Sequence, residues 1–114
     1  MSEKNPKIYL QHILDCLDAI ENYTRGIKSK DEFFASKMIQ DAVIRNLEII
    51  GEAAKQIPEN VRQQHPKIEW KKMAGLRDIL IHNYLGVDLS EVWVIIAERL
   101  PQLKAELQEI AKRL

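Results

Sequence analysis

Residues 31–57, DEFFASKMIQDAVIRNLEIIGEAAKQI, form the longest helical pattern in the chain and determine the predicted fold. The polar residues advance by three or four positions and form one narrow stripe: Lys37, Asp41, Arg45, Glu48, Glu52 and Lys55. Most of the remaining helix surface is apolar, and such a helix in a small protein must be covered on two sides. We expect the chain's own core to cover one side and a second copy of the chain to cover the other.

Helical signals precede this segment. The pair Asn5 and Pro6 predicts the start of a first helix, which should end at Gly26. Ser29 with Glu32 forms a capping box that opens the long helix, and a proline after residue 57 ends it.

Helical signals also follow it. A short helical turn is predicted at residues 59–65, and the third long helix then buries an inner stripe: Trp70, Met73, Leu76, Ile79 and Leu80. Asp88 with Glu91 opens the last helix, in which Pro101 predicts a kink or break near residue 100. The 114 residues therefore predict a single all-α domain over residues 1–114: an antiparallel four-helix bundle with a short extra helix, which dimerises.

Composition restricts the functional classes. Lys plus Arg equals Asp plus Glu at 17 each, so the chain lacks the overall basic excess of a non-specific nucleic-acid binder. Any RNA contact must be local, and between residues 57 and 85 the balance is slightly positive, with five basic residues (Arg62, Lys67, Lys71, Lys72 and Arg77) against three acids (Glu59, Glu69 and Asp78). An ordinary solvated face explains this weak patch at least as well.

Other site classes have little support. Cys16 stands among leucines and isoleucines and is interpreted as a small buried hydrophobic residue. The three histidines are far apart and form no HxxxH pair, so we expect neither a metal site nor a cofactor. Without an apolar run of membrane-spanning length or an apolar signal segment near the start, the expected location is the cytoplasm and no membrane association is predicted.

The segment RDILIHNYLGVD, residues 77–88, contains the candidate chemistry. Arg77 can hold phosphate oxygens, His82 can transfer a proton near neutral pH, and Tyr84 offers a hydroxyl that can be modified. On a helix Arg77 and His82 are rotated by about 140°, so the same helix of a second copy would be needed to enclose a substrate. Such a cleft suits metal-free RNA cleavage, whereas the structural alternative makes Arg77 a salt-bridge partner and His82 a helix cap.

These residues resemble the HepT-like toxins of the HEPN superfamily. Arg77, His82 and Tyr84 match the R-x4-H-x-Y form of the family motif, and the stretches IRNLEIIGEAAKQI, IEW and GVDLSEVW are also similar. The resemblance implies a homodimeric, metal-independent endoribonuclease, the toxin of a type VII toxin–antitoxin system, whose composite site uses Arg77 and His82 of both chains. It also implies a minimal nucleotidyltransferase antitoxin that silences the toxin by AMPylation of Tyr84.

Two acids are candidate supporting residues. Glu52 occupies the position of the family's IGEA glutamate and either orients Arg77 or His82 or solvates the polar stripe of its helix. Asp78 could fix a guanidinium or an imidazole, but an acid near a phosphate site also repels the substrate. Two further functions remain open: a non-catalytic helical module that binds a nucleotide or a partner protein, and the binding subunit of a nucleotidyltransferase complex.

Overall fold

The computed structural model describes the backbone of residues 5–82 and 88–113, and their side chains except at positions 77–82. All regular secondary structure in these residues is helical, which confirms the all-α class. The elements are α1 (Pro6–Thr24), α2 (Lys30–Phe34), α3 (Lys37–Gln56), α4 (Glu59–Gln64), α5 (Trp70–His82), α6 (Leu89–Val94), a π-helical turn (Ile95–Arg99) and α7 (Leu100–Arg113). Each of these helices is too short or too polar to span a lipid bilayer.

Helix α1 begins where the sequence predicted. The Asn5 side chain accepts a hydrogen bond from the Lys7 backbone N–H at 3.0 Å, and Pro6 occupies the first helical position, where its missing N–H costs nothing. The helix ends at Thr24, two residues before the predicted Gly26. The predicted apolar stripe is buried and consists of Leu10, Ile13, Leu14, Leu17 and Ile20. Cys16 is also buried.

The single helix predicted over residues 31–57 is wrong, because the structure divides it into α2 and α3. Ser36 has extended backbone angles and its hydroxyl accepts the Ile39 N–H at 3.3 Å, so it caps a new helix. The Gln40 side chain donates to the carbonyls of Phe33 and Phe34 at 3.0 and 2.9 Å, which satisfies acceptors at the end of α2. Side-chain hydrogen bonds therefore stabilise both new helix ends.

The capping box that opens α2 is present in a modified form. Ser29 accepts the Glu32 N–H at 3.2 Å, as predicted. The Glu32 carboxylate accepts the Lys28 N–H at 2.8 Å, one residue before the expected cap position.

Helix α3 is covered on two sides by its own chain. It packs against both α1 and α5, and the side chains of Val43, Leu47 and Ile50 are fully buried. Two apolar side chains near the N-terminal end of α3 are exposed to solvent. Met38 is 80% exposed, and Phe34, at the end of α2, is 41% exposed.

Pro101 lies near the start of α7, and the predicted interruption is present as a π-helical turn. The Leu100 N–H donates to the carbonyl of Ile95, five residues back. Proline lacks an N–H and its ring would collide with the preceding turn of an α-helix, so a wider turn accommodates it. Helix α7 returns to α1, where Lys104 bridges Asp18 and Glu21 at 2.8 and 3.2 Å.

Candidate functional site

Helix α5 contains three of the five predicted site residues. Arg77, Asp78 and His82 lie in its second half, and His82 is its last residue. The start of α5 is anchored by Trp70, whose indole N–H donates to the His65 carbonyl at 3.0 Å. Tyr84 lies outside the described residues.

Helical geometry places the two proposed catalytic positions on different faces of α5. With about 100° and 1.5 Å per residue, Arg77 and His82 are separated by about 140° around the axis and about 7.5 Å along it. The Arg77 position lies within about 20° of Trp70, which is buried, and the His82 position within about 20° of Lys71, which is exposed. One copy of α5 therefore presents the two positions in different directions.

Glu52 belongs to a neighbouring element. It is an exposed residue of α3, between the buried residues Gly51 and Ala53, and α3 packs directly on α5. The fold thus brings the helix of the predicted supporting glutamate against the helix of the motif.

Charged side chains surround the start of α5. The Lys72 ammonium lies 2.9 Å from the Glu69 carboxylate. This hydrogen bond is the main cause that lowers the pKa of Glu69, with a smaller contribution from Arg99 in the π-helical turn. Lys71, beside this pair, is an exposed cation that sequence reasoning counted only as part of a weak basic patch.

Two observations concern whether the described residues could hold a metal ion or a ligand. Among the side chains that the structure describes, at residues 5–76 and 88–113, no cluster of three or more His, Cys, Asp or Glu could hold a metal ion. An open groove of about 410 Å³ lies between the segment Gln64 to Ile68 and α7, with Glu106, Glu109 and Arg113 on its other wall. This groove is at the N-terminal side of α5, whereas His82 ends the helix.

Comparisons with known proteins agree with one another. The family model described as "Ribonuclease HepT-like" matches residues 13–110. A "Probable ribonuclease HepT" from Thermococcus cleftensis is 44% identical over 110 residues, which cover 96% of this chain and 99% of that protein. A "Putative RNase" from Methanocaldococcus jannaschii is 43% identical over 114 residues, which cover 100% of this chain and 97% of the relative.

A longer relative matches as well. The "Gamma-glutamylcyclotransferase and putative RNase" from Methanocaldococcus jannaschii is 49% identical over 111 residues, or 97% of this chain. The chain spans 50% of the length of that relative. No solved structure matches the chain.

Proposed function

The chain belongs to the HepT-like ribonuclease family, and we propose that it is a metal-independent endoribonuclease and the toxin of a type VII toxin–antitoxin system. The observation that supports this most strongly is the family match over residues 13–110, because this range includes Arg77, His82 and Tyr84 in one R-x4-H-x-Y motif. In this proposal residues 1–114 form a single HepT-like domain, folded as an antiparallel four-helix bundle and located in the cytoplasm. RNA is the substrate.

The proposed reaction is an internal transesterification of RNA. His82 removes the proton of a ribose 2′-hydroxyl, the 2′-oxygen bonds to the adjacent phosphorus, and the bond from phosphorus to the 5′-oxygen breaks. The same histidine of a second copy supplies a proton to the leaving oxygen. Arg77 stabilises the charge that develops on the phosphoryl oxygens, an effect of several kcal/mol when the group is pre-positioned. The products are a 2′,3′-cyclic phosphate and a 5′-hydroxyl.

End-group analysis of a cleaved RNA tests the reaction. Wild-type protein incubated with a single-stranded RNA and excess EDTA should give cyclic phosphate and 5′-hydroxyl ends by mass spectrometry. His82→Ala, purified identically to control for contaminating nucleases, should cleave about 10²- to 10⁴-fold more slowly. If the wild type and His82→Ala are equally inactive on RNA, the nuclease proposal is rejected and a non-catalytic module that binds a nucleotide or a partner becomes the better interpretation.

We propose a homodimer with a composite site. The support is geometric, because one α5 presents the Arg77 and His82 positions about 140° apart and a second copy would supply the missing group. The exposed Met38 and Phe34 give the chain apolar surface for such a contact.

Mixing wild-type chains with an inactive variant tests the composite site. Wild-type protein unfolded and refolded together with tagged His82→Ala gives mixed dimers, which should have far less than half of the wild-type activity, because the proposed reaction uses one histidine from each chain. Arg77→Ala and His82→Ala alone should still elute as dimers. Mixed dimers with half of the wild-type activity would show that each site is built within one chain.

Regulation by AMPylation completes the proposed function. The Tyr84 phenolic oxygen attacks the α-phosphorus of ATP, pyrophosphate leaves, and the phenolic proton passes to solvent in a transfer catalysed by the nucleotidyltransferase antitoxin. The added phosphate would repel an RNA phosphate near Arg77 and His82. Intact mass after incubation with the antitoxin and ATP should show AMP on the wild type and not on Tyr84→Phe. Equal labelling would place the modification elsewhere.

Asp78 and Glu52 have proposed supporting roles. Glu52 lies on the helix that packs on α5, which suits a residue that orients Arg77 or His82. Glu52→Gln should then lower kcat more than it raises KM. Asp78 shares α5 with both groups and is proposed to fix one of them.

A further inference from the structure

The outward face of α5 carries a continuous stripe of four positions. Relative to Lys71, the positions of Gly75, Asp78 and His82 are rotated by about 40°, −20° and 20°. The buried Met73 lies about 160° from Lys71, so this stripe is opposite the core. Lys71 and His82 therefore share the outer face, about 16 Å apart along the helix axis.

Lys71 and Lys72 are adjacent lysines in different electrostatic situations. Lys72 pairs with Glu69 at 2.9 Å. Lys71 is exposed, and within the described residues it forms no ion pair. The charge of Lys71 is therefore available to an anion from outside the chain.

The helix surface between Lys71 and His82 is open at Gly75. A Cβ atom built at Gly75 would meet no atom within 4 Å, so a polynucleotide backbone can approach the helix there without displacing a side chain. Asp78 also lies on this stripe, and its carboxylate would repel a phosphate. A cation at the other end of the stripe offsets that repulsion for a strand that extends beyond Asp78.

We infer that Lys71 is a positioning residue that binds a backbone phosphate of the RNA substrate, several nucleotides from the phosphate that is cleaved. The inference rests on the proposed ribonuclease function and adds a direction to it, since the RNA strand would run along the outer face of α5 from His82 toward Lys71. Substrates long enough to reach Lys71 gain affinity from it, and shorter substrates do not.

Cleavage of RNAs of increasing length tests the inference, with Lys72→Ala as the matched control. On long substrates Lys71→Ala should raise KM roughly three- to tenfold and leave kcat nearly unchanged, and Lys72→Ala should have a smaller effect. On a dinucleotide, which ends before Lys71, the two variants should behave alike. Lys71→Arg should restore the wild-type KM. An equal loss for both lysine variants at every length would overturn the inference.

Binding of an RNA with 2′-O-methyl groups, which cannot be cleaved, separates this inference from the nuclease proposal. Fluorescence anisotropy at several salt concentrations should give a salt slope that Lys71→Ala reduces by about 0.7, the value for one phosphate contact on a single strand. A reduced slope without any RNA cleavage would support the Lys71 contact and reject the nuclease. Cleavage with an unchanged slope would reject the contact alone, and absence of RNA binding would reject both.

Discussion

Helices α3 and α5 pack against each other, yet they use their surfaces in different ways. Helix α3 packs on two neighbouring helices of its own chain and fully buries Val43, Leu47 and Ile50. Helix α5 buries Trp70 and Met73 and presents Lys71 and the His82 position on the face opposite Met73, whereas the Arg77 position lies within about 20° of Trp70. Full burial of apolar side chains is the main source of folding free energy, whereas exposed charged positions contribute little to it.

We therefore expect the free energy of unfolding to depend mainly on the buried residues of α3, and activity to depend mainly on α5. Substitutions in the buried part of α3 should change the free energy of unfolding and leave the activity of folded molecules intact. Substitutions on the outer face of α5 should change activity with small effects on unfolding.

The largest expected effect is on the α3 side. Leu47→Ala removes a fully buried side chain from α3, the helix that packs on α1 and α5, and should lower the free energy of unfolding by about 2–5 kcal/mol. Urea denaturation followed by circular dichroism measures this loss. Arg45→Ala is the control in the same helix, and since Arg45 is exposed its effect should stay within about 0.5 kcal/mol.

RNA cleavage by Leu47→Ala tests whether stability and activity depend on different regions of the chain. At low temperature, where most molecules of Leu47→Ala are folded, RNA cleavage per folded molecule should equal that of the wild type. A large loss of kcat in the folded fraction would mean that α3 packing also controls the geometry of α5, and the two regions would not be separable.

The buried part of the fold could be predicted from sequence because its signals are local. Asn5 and Pro6 predicted the start of α1, and Asp88 predicted the cap of α6, where its carboxylate accepts the Ser90 and Glu91 N–H groups at 2.9 and 3.3 Å. Helical spacing of leucines and isoleucines predicted the buried stripe of α1. Each of these depends on residues within one or two helical turns.

The break between α2 and α3 could not be predicted in the same way. The apolar spacing continues across Ser36, and serine occurs inside helices as well as at caps. The break is stabilised by Gln40, whose amide reaches back six and seven residues to the end of α2. Sequence spacing does not show whether a glutamine will make that bond.

The candidate site was predictable in its helix but not in its full geometry. Sequence identified α5 as the helix of Arg77 and His82, and the structure adds that Lys71 shares the outer face with His82. The contrast between Lys71 and Lys72 depends on the ion pair with Glu69, and helical spacing favours Lys72, three residues from Glu69, over Lys71, two residues away. Tyr84 lies outside the described residues, so its role stays a prediction from the motif.

A smaller change in stability, in this case an increase, is expected from a substitution in α5. Gly75 is inside a helix and a Cβ atom there would meet nothing within 4 Å, so Gly75→Ala should raise the free energy of unfolding by about 0.5–1 kcal/mol. Urea denaturation measures the gain. The reverse change at the preceding position, Ala74→Gly, should lower the free energy of unfolding by about 1 kcal/mol or more.

Cleavage by Gly75→Ala sharpens the comparison further. If RNA passes close to the outer face of α5, the added methyl group should raise KM for long RNA while the protein becomes more stable. A variant that gains stability without any change in KM would show that the RNA does not approach the helix at Gly75.

The smallest expected effect concerns the contact that ties α7 to α1. Lys104 lies 2.8 Å from Asp18 and 3.2 Å from Glu21, and hydrogen bonds to Asp18 and then Glu21 raise the pKa of Lys104 above its ordinary value of 10.5. Because the pKa is higher in the folded state, the charged lysine stabilises the fold at all pH values below 10.5, and this contribution is lost as pH rises through the raised pKa. Lys104→Met should therefore lower Tm slightly at neutral pH.

The pH and salt dependence of that Tm difference distinguishes an ion pair from packing. The difference between wild type and Lys104→Met should shrink as pH rises well above 10.5 and should also shrink at high salt, since the contact is partly solvated. Lys112→Met is the control, because Lys112 pairs more loosely with Glu109, at 3.6 Å, within α7 itself. A Tm difference that is constant across pH would assign the effect to the aliphatic part of Lys104.

Because this contact is distant in sequence from α5, RNA cleavage per folded molecule should be unchanged in both variants. A loss of cleavage in Lys104→Met alone would show that the contact between α1 and α7 also influences the site.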